Sequence, residues 1–197
     1  MWLYSFPVIA YLLGSVSSAI IIARLMGLPD PRECGSKNPG ATNILRYGGK
    51  IAAVLTLLGD VLKGAVPVLI AQTLTHDTVL LALTGIGAFL GHLFPVYFGF
   101  RGGKGVATTL GVWLALSPAV GLAMAATWGV MALAFRYSSL AAIFASVAAP
   151  FYVAWFSPAG PYFLTMIVMS AMLIFRHRAN IRSLLAGTET RIGKKNC

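Results

Sequence analysis

The sequence predicts an all-α, polytopic membrane protein of about seven transmembrane helices, and three observations predict it. Of 197 residues, 58% are apolar and only 10% carry charge, where a water-soluble domain carries roughly a quarter charged residues. So large a deficit leaves most of the surface facing lipid. Apolar runs also recur at close to the length a helix needs, about 20 residues at about 1.5 Å each for a hydrocarbon core about 30 Å thick. Finally, Lys and Arg gather in alternate connections between those runs, as the positive-inside rule requires. The 20.9 kDa mass leaves no room for a separate soluble enzyme, so residues 1–197 read as a single integral-membrane domain.

The runs follow in order. Ser5 to Met26 reads as a retained first span: Met1 to Ser5 has no basic region of a cleavable signal, and no small-residue cleavage pattern follows. Ile51 to Leu74 carries Asp60 and Lys63, three apart on one helical face, where they either serve function or neutralise each other and join helices. Val79 to Phe98 contains Gly87 and Gly91 at the spacing that lets helices pack closely, a spacing repeated by Gly99 and Gly103. His92 in the same run reads as a hydrogen-bonded helix residue rather than a metal ligand. Gly105 to Leu116 spans only about 18 Å, so it is expected to be a broken or cavity-lining helix. Pro118 to Phe135, Leu140 to Phe156 and Tyr162 to Phe175 complete the set.

The connections fix the orientation. Arg24, Arg32, Lys37, Arg46 and Lys50 border or fill the first, Arg101 and Lys104 the third, and Arg136 the fifth; the tail adds Arg176, Arg178, Arg182, Arg191, Lys194 and Lys195. The second, fourth and sixth hold no Lys or Arg. The N-terminus is therefore expected outside and the C-terminus in the cytoplasm. The net charge of +10 lies between greasy runs rather than on an ordered soluble face, so no nucleic-acid partner is expected. Cys34 and Cys197 fall in the segments placed in the cytosol, and no disulfide framework is expected.

Polar residues concentrate in three of these cytoplasmic stretches. GSKNPGATNILR, Gly35 to Arg46, combines helix-breaking residues with Ser36, Thr42 and Asn43 beside Lys37 and Arg46. That composition suits a phosphate, with Arg46 able to grip two oxygens, although a turn-rich loop touching lipid headgroups has the same ingredients. GHLFPVYFGFRGGKGVATT, Gly91 to Thr109, holds Lys104 among Gly102, Gly103 and Gly105 just before a helix start near Val106. Close backbone, a point charge and a positive helix end favour an anion. A tight turn with a snorkelling lysine is the plain alternative, and Gly105 after the lysine excludes an ATP-hydrolysing P-loop. FRHRANIRSLLAGTE, Phe175 to Glu189, places His177 and Asn180 on one helical face at the membrane boundary. No His/Cys/Asp/Glu cluster has metal spacing and no nucleophile signature occurs, so neither metal nor cofactor is expected.

Taken together, GSKNPGATN, GHLFPVYFGFRGGKGVAT and HRANI with its distal GTE closely resemble the three motifs of the bacterial acyl-phosphate:glycerol-3-phosphate acyltransferases, the PlsY family. GDVLKG at Gly59 to Gly64 and RYSSLAA at Arg136 to Ala142 are similar too, so the resemblance covers nearly the whole chain. Lys37 departs from it, standing where the family often has glycine. The resemblance implies transfer of a fatty acyl group from acyl phosphate to the 1-hydroxyl of glycerol 3-phosphate at the cytoplasmic face of the bacterial inner membrane. That is the first step of phospholipid synthesis. It also implies that Ser36, Arg46, His177 and Asn180 surround the acceptor with Ser139 near, that Thr42 and Asn43 shape the first loop, and that membrane lipid is a partner. The soluble enzyme that makes acyl phosphate is a candidate partner.

An acyl phosphate is already activated, so the protein's work is to position two anions and to stabilise charge on the departing phosphate. Lys104, with the amides of Gly102 and Gly103, is assigned to that task. His177 has an ordinary pKa suited to accepting the hydroxyl proton. A phosphate oxygen of the donor can accept it instead, and this route is preferred because no carboxylate partner for His177 is evident. The rival reading is a transporter for an organic phosphate or anion, with Asp60 and Lys63 as a relay; it leaves the one-sided clustering of polar residues unexplained.

Overall fold

The computed structural model describes residues 2–194, and every regular element among them is helical. Lys195 and Cys197, used above in the charge and cysteine readings, lie outside the described residues. The first apolar run forms α1 (Phe6–Gly14) and α2 (Ser18–Leu25). The polar stretch after it folds into the short α3 (Ala41–Tyr47). Then come α4 (Gly49–Leu74), α5 (Thr78–Leu93), α6 (Val106–Leu116), α7 (Pro118–Phe135), α8 (Ser138–Phe156) and α9 (Gly160–Arg176), with α10 (Arg178–Leu185) closing the chain. Asp77 starts α5 by accepting the N–H groups of Val79 and Leu80, the usual service of an N-cap carboxylate.

Among the described residues, five stretches are long and apolar enough to cross a membrane: Leu3–Leu25, α4, Thr78–Phe98, α7 and α8. Helices α6 and α9 are apolar but shorter, and the eleven residues of α6 rise only about 16 Å. The fourth run was expected to be broken or cavity-lining. It is unbroken and lines a cavity; the break falls in the first run instead, at Ser15 to Ser17. An interrupted helix inside lipid exposes carbonyl groups that need donors. Here Lys63 supplies one, its Nζ donating to the Val16 carbonyl at 2.9 Å while lying 2.8 Å from Asp60 Oδ1. The Asp60–Lys63 pair therefore joins α4 to the break.

Glycine sets how closely the helices approach. A Cβ on Gly87 or Gly91 of α5 would run into the carbonyl oxygen of Pro7 or Tyr11 on α1, and one on Gly111 of α6 into that of Val61 on α4. These pairs pack backbone against backbone, as the Gly87 and Gly91 spacing predicts. Gly99 and Gly103 do not form a helix face: both lie in the loop between α5 and α6. Trp113 on α6 centres the core with Phe89 and Leu93 of α5 and Met166, Met169 and Leu173 of α9, all fully buried or nearly so. Its ring meets Tyr162 edge-on at 6.2 Å. The large apolar side chains left outside, such as Leu133, Phe151 and Trp155, suit contact with lipid. Cys34 is buried.

Candidate active site

The first polar stretch folds around one amide. Asn43, in the first turn of α3 and 2% exposed, donates through Nδ2 to the carbonyls of Pro31 and Cys34 at 3.0 and 2.9 Å. Its Oδ1 accepts the Ser36 N–H at 2.8 Å. All three bonds are local to the loop, so Asn43 holds residues 31–36 in place over α3. Thr42 reaches the other way, its hydroxyl 3.0 Å from that of Ser138 at the start of α8. Lys37 has φ +55°, a left-handed conformation that glycine adopts without strain and lysine does not. Arg46 is half-buried, and burial moves its pKa below the ordinary value while the charge of Glu189 opposes the shift.

The second stretch is a loop clamped from behind. Arg176, the last residue of α9, donates through Nη2 to the carbonyls of both Gly102 and Gly103 at 2.9 Å. The Gly103 N–H donates to the His92 carbonyl at 3.1 Å, so it is spent within the protein rather than offered to an anion. Neither glycine lines the cavity described below. Both are small where they pack: a Cβ on Gly102 would meet the His92 carbonyl oxygen, and one on Gly103 the His92 ring. Gly105, at φ +93°, turns the chain into α6. Val106 and Ala107 in the first turn of α6 border the cavity, so the positive helix end faces it.

The third stretch supplies the far wall. His177 caps the junction of α9 and α10, is 3% exposed, and has Nδ1 2.8 Å from the Leu173 carbonyl. A carbonyl only accepts, so Nδ1 carries the proton and Nε2 keeps a free lone pair. Burial first, then the charge of Lys104, pushes the His177 pKa down to about 4, and the ring is neutral at pH 7. Asn180, one turn on, accepts a hydrogen bond from Lys104 Nζ at its Oδ1 and donates through Nδ2 to Glu189 Oε1 at 2.8 Å. The same carboxylate oxygen accepts the Ser139 hydroxyl at 2.6 Å. A chain of hydrogen bonds thus runs from Lys104 to Asn180 to Glu189 to Ser139. Burial lowers the Lys104 pKa to about 8, with Glu189 opposing and Arg46 and Arg176 adding to the shift.

One cavity of about 250 Å³ gathers these groups. Ser36, Thr42, Asn43, Arg46, Lys104, Ser139, His177 and Asn180 all line it. So do Asn38, Asp60, His92 and Glu189, of which Glu189 had been read only as the end of the third motif. A signal for it existed: it is the only acidic residue after Asp77. His92, expected to be a hydrogen-bonded helix residue, accepts the Gly103 N–H at its carbonyl, while its Nδ1 faces Asp60 at 3.6 Å and completes no hydrogen bond among the described residues. Leu57, Leu110, Met124, Trp128 and Ala145 give the same cavity an apolar wall. Among the described residues no group of three His, Cys, Asp or Glu could hold a metal. The arrangement offers cations and a helix end to anions, and an apolar wall to a hydrocarbon chain.

A family model described as glycerol-3-phosphate acyltransferase matches residues 4–187. A glycerol-3-phosphate acyltransferase of Bordetella petrii is 53% identical over 195 residues, covering 95% of this chain and 92% of its own. One of Thioalkalivibrio sulfidiphilus is 56% identical over 186 residues, covering 94% and 92%. Two crystal structures of PlsY (YgiH), an integral membrane glycerol 3-phosphate acyltransferase, superpose with TM-scores of 0.93 and 0.91 at 43% and 42% identity, each covering 98% of this chain and 96% of that one. The first is a glycerol 3-phosphate form and the second a lysophosphatidic acid form.

Proposed function

We propose the reaction of this chain from one premise: it belongs to the glycerol-3-phosphate acyltransferase family. The reaction is transfer of a fatty acyl group from acyl phosphate to the 1-hydroxyl of glycerol 3-phosphate, giving lysophosphatidic acid and inorganic phosphate. The two PlsY forms contain the acceptor and the product of that reaction. The observation that carries the reading is that Arg46 and Lys104, from separate loops, line one cavity that also has an apolar wall. Two phosphates and one alkyl chain need that combination.

The chemistry follows from the groups present. Arg46, with Ser36, holds the phosphate of the acceptor, and Lys104 with the first turn of α6 holds that of the donor. The acceptor hydroxyl oxygen adds to the acyl carbonyl carbon, and the bond from that carbon to the phosphate oxygen breaks. The electron pair leaves on phosphate, where the Lys104 ammonium offsets it. His177 accepts a hydrogen bond from the hydroxyl at Nε2 and orients it. With a pKa of about 4, the ring holds a proton poorly, so the hydroxyl proton passes to an oxygen of the departing phosphate, whose second pKa lies near 6. The acyl chain occupies the cleft between α4, α6, α7 and α8.

The one-sided distribution of Lys and Arg supports an active site at the cytoplasmic face of the inner membrane, with the N-terminus outside. The same face is where a soluble enzyme making acyl phosphate would deliver it. The test is lysophosphatidic acid formation by purified protein given glycerol 3-phosphate with either acyl phosphate or acyl-CoA as donor, read alongside release of the matching leaving group, phosphate or free CoA thiol. Product from acyl phosphate and not from acyl-CoA is expected. Glycerol 3-phosphate flux across proteoliposomes without acyl transfer would overturn the reading in favour of a transporter.

A further inference from the structure

Asp60 and His92 line the cavity yet have no part in the mechanism above. Asp60 is 2% exposed on α4 and His92 7% exposed on α5, both within stretches that cross the membrane. Ionisable groups at that depth are costly, and a buried ion pair adds little net stability, so their presence points to a task. Lys63 Nζ lies 2.8 Å from Asp60 Oδ1 and His92 Nδ1 3.6 Å from the same oxygen. Neither Asp60 Oδ1 nor His92 Nδ1 completes a hydrogen bond among the described residues. The other edge of the ring abuts the glycine loop: a Cβ on Gly103 would run into Nε2 and come within 2.8 Å of Cε1. The His92 carbonyl takes the Gly103 N–H at 3.1 Å, and Lys104 is the next residue.

We infer that His92, oriented by the Asp60–Lys63 pair, is a positioning residue that sets where Lys104 meets the phosphate of the donor. The ring is a spacer between a carboxylate on α4 and the loop, and Lys63, bonded to the Val16 carbonyl, pins that carboxylate to the break in the first span. Without the carboxylate the ring loses its reference on one side, and the loop it supports loses its register. The acceptor side, built on Arg46 and the separate loop held by Asn43, does not depend on this contact. The inference rests on the reading that acyl phosphate is the donor.

The test is a pair of variants assayed by phosphate release. His92→Asn keeps an amide nitrogen where Nδ1 stood and vacates the Gly103 side; Asp60→Asn keeps the shape and removes the charge. Each is expected to raise KM for acyl phosphate about tenfold while KM for glycerol 3-phosphate stays within about twofold. A merely structural role would move neither constant, or both together, and either result overturns the inference. If His92→Asn cannot be isolated folded, Asp60→Asn decides alone; if neither can, the cluster is a folding element and the inference fails. A wild-type enzyme inert with acyl phosphate sinks the donor reading and this inference with it, whereas an active wild type with unsplit variant constants sinks this inference alone.

Discussion

Replacing Lys104 by alanine removes the only lysine lining the cavity among the described residues and strips Asn180 Oδ1 of its donor. One preorganised donor aimed at developing charge is worth about 10²–10³ in kcat, or about 2.7–4 kcal/mol. Lys104 belongs at the upper end, because the burial that lowers its pKa from an ordinary 10.5 to about 8 also leaves its field on the phosphate less screened. The assay is phosphate release at pH 7 with both substrates saturating, on protein whose monodispersity in detergent matches wild type. The alkaline limb gives a second readout. A base whose native pKa lies below its ordinary value loses its charge as pH climbs through about 8, so wild-type kcat/KM for the donor falls about tenfold per unit above that point. Linkage has the matching sign: between about 8 and 10.5 the unfolded chain binds the proton that the native lysine has released, so native stability rises with pH there. In Lys104→Ala the alkaline limb disappears. Retention of more than about a tenth of wild-type kcat, or an alkaline limb that survives the substitution, would refute the assignment of Lys104 to the departing phosphate.

Other perturbations probe the scaffold and the cleft. Lys37→Gly relieves the φ of +55° and is expected to stabilise the protein by about 0.5–1 kcal/mol after the entropic cost of glycine, read as a higher Tm in detergent. An unchanged or lower Tm would show that the loop stores no strain. Gly111→Leu drives a side chain into the Val61 carbonyl; overpacking at a backbone contact costs at least about 1–3 kcal/mol, so the yield of monodisperse protein should collapse. Ala145→Phe fills the apolar wall and should lower kcat/KM for long-chain acyl phosphates about tenfold relative to short ones, the loss of roughly two buried methylene groups at about 0.8 kcal/mol each. Equal losses at all chain lengths would remove the acyl chain from that cleft.

The spans were legible because lipid imposes one demand along their whole length, and Leu, Val, Ile and Ala answer it run after run. The break at Ser15 to Ser17 was hidden, since small residues of middling polarity do not lower the apolar average of a run. Its repair by Lys63 requires knowing that α4 lies beside it. Within the site, Arg46, Lys104, His177 and Asn180 could be read because cations and amides gathered at loops beside the membrane have few uses. At Gly102 and Gly103, glycine that admits a ligand and glycine that admits a neighbouring histidine look identical in sequence; the packing against His92 and the Arg176 clamp show only in the fold. Glu189 shows the reverse case, a signal present but unused. A carboxylate isolated among so many cations must either cancel one or orient something, and the hydrogen bonds show the second. Asn180 can turn Oδ1 toward Lys104 only if Nδ2 has an acceptor on the other side, and Glu189 Oε1 is that acceptor. The acid thus sets which face of an amide the lysine sees while the ammonium stays available to the phosphate.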